Sequence, residues 1–398
     1  MIEGIDRQII IVGGGPAGLY CAYLIRKSNP DIYVVVIEAN KTIGENVCCG
    51  GLIEINGFRN LKLSESINIE ECVLNKVRCA EIYAPHKTIL EIKAKENKTY
   101  VIDRSIFDKK ILALAKSVGV SIITESRVVE VNAMENIVVV KNLLEDKTTE
   151  LKYDFLIGAD GPNSMVRQGL ENVVGFENKD FVYAYQVLAK GDFSDDRVYV
   201  FFGEFSKGFF GWVIPLSKGL ARVGVGTKAG KNPKDAFENF INKTGLNISC
   251  FSEECFGVIP VSKPLKTYVA ENRLVIGDAA CFVKATSGGG INFGLASSEI
   301  AAKAINQRIK NFKDLKNYNK LLSSYISELG LHYKIHKYIE SKNQLELEEL
   351  FVKMKKLGVE DFLGKSGNMD WPSRFLPLLL IKPKFVMMLP EFVKLIRT

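Results

Sequence analysis

The chain opens on a short, unbroken apolar run, Ile9-Ile10-Ile11-Val12, the composition of a strand buried on both faces. A glycine-rich loop follows, and residues 16–27 have a helix-compatible pattern. A second β-branched run, Tyr33-Val-Val-Val-Ile37, ends at Glu38. Strand, helix and strand in this order predict a βαβ unit. Residues 100–115 begin as a strand and become an amphipathic helix, with Phe107, Ile111, Leu112, Leu114 and Ala115 apolar and Gly119 closing it. Residues 120–129 read as another strand. Two further short apolar runs, Phe155-Leu-Ile-Gly and Leu274-Val-Ile-Gly277, each lead to an aspartate, Asp160 and Asp278. Between them, residues 175–265 alternate apolar and polar positions, as in Phe181-Val-Tyr-Ala-Tyr-Gln-Val-Leu, which predicts a mostly antiparallel sheet. A helix-forming stretch starts at Phe293, and from Gly294 to about Lys356 the chain turns helical and charged.

The last stretch, from Trp371 to Pro390, is apolar but broken by prolines and by Lys382 and Lys384, so it cannot form a membrane-spanning helix. Packing against the protein's own core is the favoured reading, with capping of a substrate tunnel or contact with a bilayer surface as the others. Composition adds a boundary. With 398 residues, 47% hydrophobic and 25% charged, the chain has the make-up of a globular enzyme of two or three structural units. The net charge of +7 is spread out, without a dense basic tract interleaved with aromatics, so no nucleic acid partner is expected. The eight cysteines are scattered, unlike a secreted disulfide scaffold or a zinc knuckle, and the first strand starts too early for a signal segment; both point to a reducing, cytoplasmic setting. No metal site is expected: His332 and His336 lie at i, i+4 on a helix, but no third ligand accompanies them.

The first turn carries Gly13-x-Gly15-x-x-Gly18. Gly13 permits a tight turn, Gly15 lets the backbone approach a diphosphate, and Gly18 allows the helix to pack closely on the strand, with the positive end of the helix facing the phosphates. Glu38, at the end of the second strand, is placed to accept hydrogen bonds from an adenosine ribose. This is a dinucleotide site. The Asp160-Gly161 turn and Asp278, followed by Ser287-Gly288-Gly289-Gly290-Ile291-Asn292, suit a longer cofactor: Asp278 for ribityl hydroxyls, and the amides around Gly290 and Ile291 for a flavin ring that gains negative charge on reduction.

In this order the segments resemble the FAD superfamily that includes p-hydroxybenzoate hydroxylase. The resemblance implies an α/β (α+β overall) fold. A Rossmann-like FAD-binding domain would take residues 1–75, 98–172 and 266–325, and a mostly antiparallel β substrate domain residues 76–97 and 173–265. A helical C-terminal region would take 326–398. It also implies that Arg104 lies against the flavin and Val128 beside the adenine end.

Within that superfamily, Gly44-Glu-Asn-Val-Cys48-Cys49-Gly50-Gly51-Leu52 resembles the Cys-Gly loop of the geranylgeranyl reductase family, FAD enzymes that saturate isolated prenyl double bonds, in archaea those of membrane lipid precursors. Ala17, Cys49, Gly50 and Leu52 would then line the cofactor. Gly208-Phe-Phe210-Gly-Trp212-Val-Ile214-Pro215 matches the family's aromatic substrate segment at Trp212 and Pro215, while Phe210 and Ile214 are replacements and Ala285 stands where a proline is usual. An isolated alkene is a poor electrophile, so hydride delivery needs a proton donor on the other carbon. Cys49 is the candidate, and a small apolar filler is the other reading of it. Cys48 beside it is expected to point away. The resemblance implies a prenyl lipid substrate, peripheral membrane contact, and NAD(P)H or a reduced ferredoxin as transient donor, since no second glycine fingerprint is present. An aromatic-ring monooxygenase on the same frame, and a flavin redox sensor using Cys48 and Cys49, are the competing readings.

Overall fold

The computed structural model describes residues 7–45, 47–170 and 181–397. Its centre is the βαβ unit of strand β1 (Gln8–Val12), helix α1 (Pro16–Ser28) and strand β2 (Tyr33–Ile37). Ile9, Ile10, Ile11, Val34 and Val36 have no exposed surface, which is why these strands read as continuous apolar runs. Among the described residues the sheet runs Val269–Ala270, Arg273–Val275, Phe155–Gly158, β1, β2, Ser121–Ile123, parallel except for its first strand. The parallel order aims the C-terminal ends of β1, Phe155–Gly158 and Arg273–Val275 at one edge, where a cofactor crevice forms in open α/β sheets.

The expected strand over 120–129 is two strands. Ser121–Ile123 pairs with β2, whereas Ser126–Asn132 joins a separate three-stranded antiparallel sheet with Ile137–Asn142 and Thr148–Lys152. Glu125, at φ 51°, makes the break between them. A run of β-branched residues shows strand character but not which sheet each half enters.

The second large sheet is mostly antiparallel and runs Ile248–Pro260, Phe181–Gly191, Leu220–Lys228, Gly211–Ser217, Arg197–Phe201, Cys79–Tyr83, Ile89–Lys93; the pair Arg197–Phe201 and Cys79–Tyr83 is parallel. The expected domain boundary at 172/173 lies outside the described residues. Helix Pro233–Thr244 covers one face of this sheet, packing Phe237 and Phe240 onto Tyr185 and Phe201. Helices Ser323–Glu340, Gln344–Lys356 and Val359–Ser366 form the C-terminal region. The apolar tail is a set of short helical segments. It packs in part, with Phe385 fully buried against Val359 and Phe362, and leaves Leu378, Met387, Leu389 and Val393 exposed. No helix among the described residues is long and apolar enough to cross a membrane.

Candidate cofactor and substrate site

Three backbone turns meet around one cavity of about 290 Å³. The first joins β1 to α1. Gly13 has φ +105°, and a Cβ there would lie 2.2 Å from the Ala159 carbonyl oxygen, so only glycine fits. A Cβ on Gly18 would lie 2.1 Å from the Gly13 carbonyl, the close approach of helix to strand. Gly15 behaves differently: a Cβ there would meet nothing within 4 Å, because it faces open space. Gly15 caps α1, whose first turn has neither an acidic residue nor a side-chain cap, so its free amides and positive end point into that space. Such a cradle fits a diphosphate. Glu38 borders the loop, its carboxylate accepting from the Gly14 and Asn40 amides at 2.7 Å each.

The second turn is Gly277–Ala280, at the end of strand Arg273–Val275. It holds Asp278 deep in the cavity wall, where burial raises the carboxyl above its ordinary range and the Arg104 cation opposes the rise. The third is the start of helix Ile291–Asn311, two residues earlier than the expected helix, with Gly290 as its cap and again no acidic residue or side-chain cap in the first turn. The turns are locked together. Ser298 donates to the Ala17 carbonyl at 2.8 Å, and the Gly277 amide donates to Ser297 at 3.0 Å. Two uncompensated helix N-termini and a buried carboxylate on one cavity suit a molecule with anionic groups in its middle and a hydroxylated, electron-accepting end.

The loop 48–51 closes the cavity from the side of the second sheet. Gly51 has φ +74°, with the Ile102 carbonyl oxygen 2.5 Å from where a Cβ would stand. Three side chains hold the loop. Gln186 donates to the Cys49 carbonyl at 3.3 Å, Arg222 donates to the Gly50 carbonyl at 3.0 Å, and the Trp212 indole donates to Gln186 Oε1 at 3.1 Å. Burial lowers the pKa of Arg222, while the neighbouring Cys49 works the other way. Arg104 forms a two-pronged pair with Asp108 at 3.0 and 2.9 Å and also reaches the Cys49 sulfur. Burial works against its charge, but Asp108 and Cys49 outweigh it and the pKa rises.

Gly15, Ala17, Cys49, Gly50, Arg104, Trp212, Asp278, Gly290 and Ile291 therefore border one cavity, although they come from six separate stretches of sequence. Gly13, Gly18 and Glu38 support it from below. Other expected site residues lie elsewhere. Asp160 turns its carboxylate to the Ser164 hydroxyl at 2.5 Å and the Met165 amide at 2.7 Å, organising its own turn, while its neighbours Ala159 and Gly161 face the cavity. Leu52 packs with Val77, Val101 and Ile214. Val128 is buried on the three-stranded sheet, opposite Val140. Phe210 stacks on Phe209, contacts Trp212 edge-on, and borders a second cavity of about 740 Å³ with Phe209, Thr286 and His336. Phe209 and Gly288 are neighbours, so the aromatic pair separates the two cavities.

Sequence reasoning missed several residues that build this site. Gln186 is one, and its signal was a polar residue buried in an aromatic strand. Arg167 donates to the Ala279 carbonyl at 2.9 Å and so ties the Asp160 turn to the Asp278 turn. Beneath the 284–290 turn, Lys284 is paired with Asp370, both buried, and Asn292 donates to Asp370 at 2.8 Å. His332 shares a hydrogen bond with the Thr286 hydroxyl at 2.7 Å. Cys48, expected to point away, borders the cavity beside Cys49, and its sulfur is bonded to that of Cys255, 207 residues away, with the Cα atoms 5.5 Å apart. Nothing in the scattered cysteine spacing indicated this pair, and it removes the reading in which Cys48 and Cys49 are redox partners of each other.

The chain is similar to several known proteins. The family model of the FAD binding domain matches residues 6–325. Digeranylgeranylglycerophospholipid reductase 1 of Methanococcoides burtonii is 29% identical over 403 residues, covering 95% of this chain and 97% of the relative. A geranylgeranyl bacteriochlorophyll reductase-like protein of Thermoplasma acidophilum superposes with a TM-score of 0.80 at 21% identity, covering 97% of this chain and 99% of the other. The myxobacterial chondrochloren halogenase CndH shares the fold at a TM-score of 0.70 and 16% identity, over 92% of each chain.

Proposed function

Because this chain belongs to the FAD binding domain family and, within it, to the geranylgeranyl reductase-like proteins, we propose that it is an FAD-dependent reductase that saturates isolated double bonds in the prenyl chains of archaeal-type membrane lipid precursors. The observation that supports this most is the place of the Cys49-Gly50 loop. It borders the cofactor cavity together with Trp212, whose neighbours Phe210 and Phe209 line the larger cavity.

In this reading the amides at Gly15 and the start of α1 take the diphosphate, Glu38 the ribose, and Val128 the adenine side. Asp160 and Leu52 act as supports of the cofactor loops. Asp278 takes the ribityl hydroxyls, and the amides of Gly290 and Ile291 face the ring. FAD, when bound and reduced, supplies the hydride. Cys49 supplies the proton to the other alkene carbon, and Arg104, in contact with its sulfur, balances the charge left behind. Phe210 and Trp212 hold the apolar chain and exclude water, which matters because an alkene offers no polar handle for orientation. The source of electrons is NAD(P)H or a reduced ferredoxin, met transiently, and the lipid is drawn from the surface of a membrane on the cytoplasmic side.

Mass spectrometry of lipid co-purified with the protein tests the substrate class. A polyprenyl ether lipid supports the reading. A bound aromatic acid would favour ring hydroxylation and remove it.

A further inference from the structure

We propose that the Cys48–Cys255 disulfide is a second two-electron redox centre that exchanges electrons with the flavin, a role that rests on the chain's binding FAD. The bond is part of the cavity wall. Cys48 borders the cavity that also presents Gly290, Ile291 and Asp278, and Gly257, Val258 and Ile259, just beyond Cys255 on strand Ile248–Pro260, border it too. A Cβ on Gly257 would stand 3.5 Å from the Cys48 sulfur, so the disulfide sits against the strand residues that border the cavity.

The location argues against a staple for stability alone. The loop is already fixed by Gln186, Arg222 and the Gly51 turn. Gln186 Nε2 lies 3.9 Å from the Cys255 sulfur, at the reach of a hydrogen bond to sulfur. The Arg104 and Arg222 guanidiniums hold the next two residues of the loop, Arg104 at the Cys49 sulfur and Arg222 at the Gly50 carbonyl. Cys48 and Cys255 are both partly exposed, so the pair is also open to solution thiols.

The step balances without another reactant. Reduced flavin gives up two electrons and two protons; the S–S bond breaks, each sulfur takes one proton, and the products are oxidised flavin and the two thiols of Cys48 and Cys255. In the reverse direction the dithiol form reduces the flavin.

Anaerobic photoreduction of the flavin-loaded protein tests this, because the electrons then enter through the flavin. Reduction is followed by thiol labelling and peptide mass spectrometry. The expected uptake is four electrons per flavin, against two in Cys255→Ser, with label appearing on Cys48 and Cys255 only after reduction. Uptake of two electrons with the Cys48–Cys255 peptide still cross-linked would overturn the proposal, as would finding both thiols free in the air-oxidised protein. A second measurement guards against a variant that folds poorly: labelling of Cys48 and Cys255 in the parent alone, before and after photoreduction. Protein without flavin as isolated, and unable to take it up, would sink the FAD reading itself, a different result from either of these.

Discussion

Replacing Asp370 by alanine should cost the protein much of its stability, because the residue joins the C-terminal region to the 284–290 turn at the edge of the cavity. Asp370 is 1% exposed and Lys284 is 4% exposed, and they pair directly. The second Asp370 oxygen accepts from Asn292 Nδ2 at 2.8 Å, and Asn292 in turn holds the Glu54 carbonyl at 2.9 Å. Glu54 sits close by; burial, and then the charge of Asp370, raise its carboxyl above the ordinary range. Asp370→Ala therefore leaves an ammonium and an amide without their partner in a dry site. Breaking a buried pair on one side costs about 3–5 kcal/mol, a large part of the roughly 5–15 kcal/mol by which a domain is stable. Replacing both members by apolar groups of similar size, as in Lys284→Met with Asp370→Leu, removes the stranded charge and should return most of that loss. Urea unfolding followed by tryptophan fluorescence measures this, since Trp371 adjoins the pair and packs on Phe293. A loss below about 1 kcal/mol for Asp370→Ala, or a double variant as unstable as the single one, would refute the argument that the pair is a desolvated charge couple.

Three further outcomes follow from the site. Gly15→Val should abolish flavin binding with little change in thermal midpoint, because the new side chain enters open space above α1; retention of flavin absorbance on gel filtration would contradict the diphosphate assignment. Cys49→Ala should keep FAD and lose at least about a hundredfold in alkene reduction, the low end of what a positioned proton donor contributes; turnover at the parent rate would remove the thiol from the mechanism. His332 and His336 are both lowered to about 4, first by burial and then by nearby lysines, Lys284 for His332 and Lys337 and Lys228 for His336. Their unfolded pKa is higher, so the unfolded chain takes up protons first. Stability should be level above about pH 6.5 and fall as the pH drops from there towards 4, and His336→Phe should flatten the slope of thermal midpoint against pH; a slope unchanged in that variant would count against it.

The parts of the fold set by local pattern were readable from the chain. β1, α1 and β2 announce themselves because both strands are buried on both faces and Gly13 and Gly18 allow no other residue. The loop 48–51 and the 288–291 turn were legible as chemistry, since their glycines and cysteines serve no ordinary strand or helix. What escaped was everything decided by pairing across long separations. Val120 to Val129 divides between two sheets because β2 and Ile137–Asn142 each claim one half, a choice made by partners rather than by propensity. Asp160 occupies a motif yet spends its carboxylate on Ser164 and Met165, a local hydrogen-bonding demand that a motif cannot display. Cys48 and Cys255, and Lys284 and Asp370, meet only once both large sheets and the C-terminal helices are in place.

The central claim is that this cavity reduces a prenyl chain by way of FAD. Its most direct test is anaerobic incubation of the flavin-loaded protein, reduced with dithionite, with an unsaturated geranylgeranyl ether lipid, followed by mass spectrometry of the lipid. The account predicts products heavier by two hydrogens for each double bond saturated, dependent on flavin and diminished in Cys49→Ala. Lipid recovered unchanged, alongside oxygen-dependent hydroxylation or halogenation of an aromatic compound by the same preparation, would contradict it.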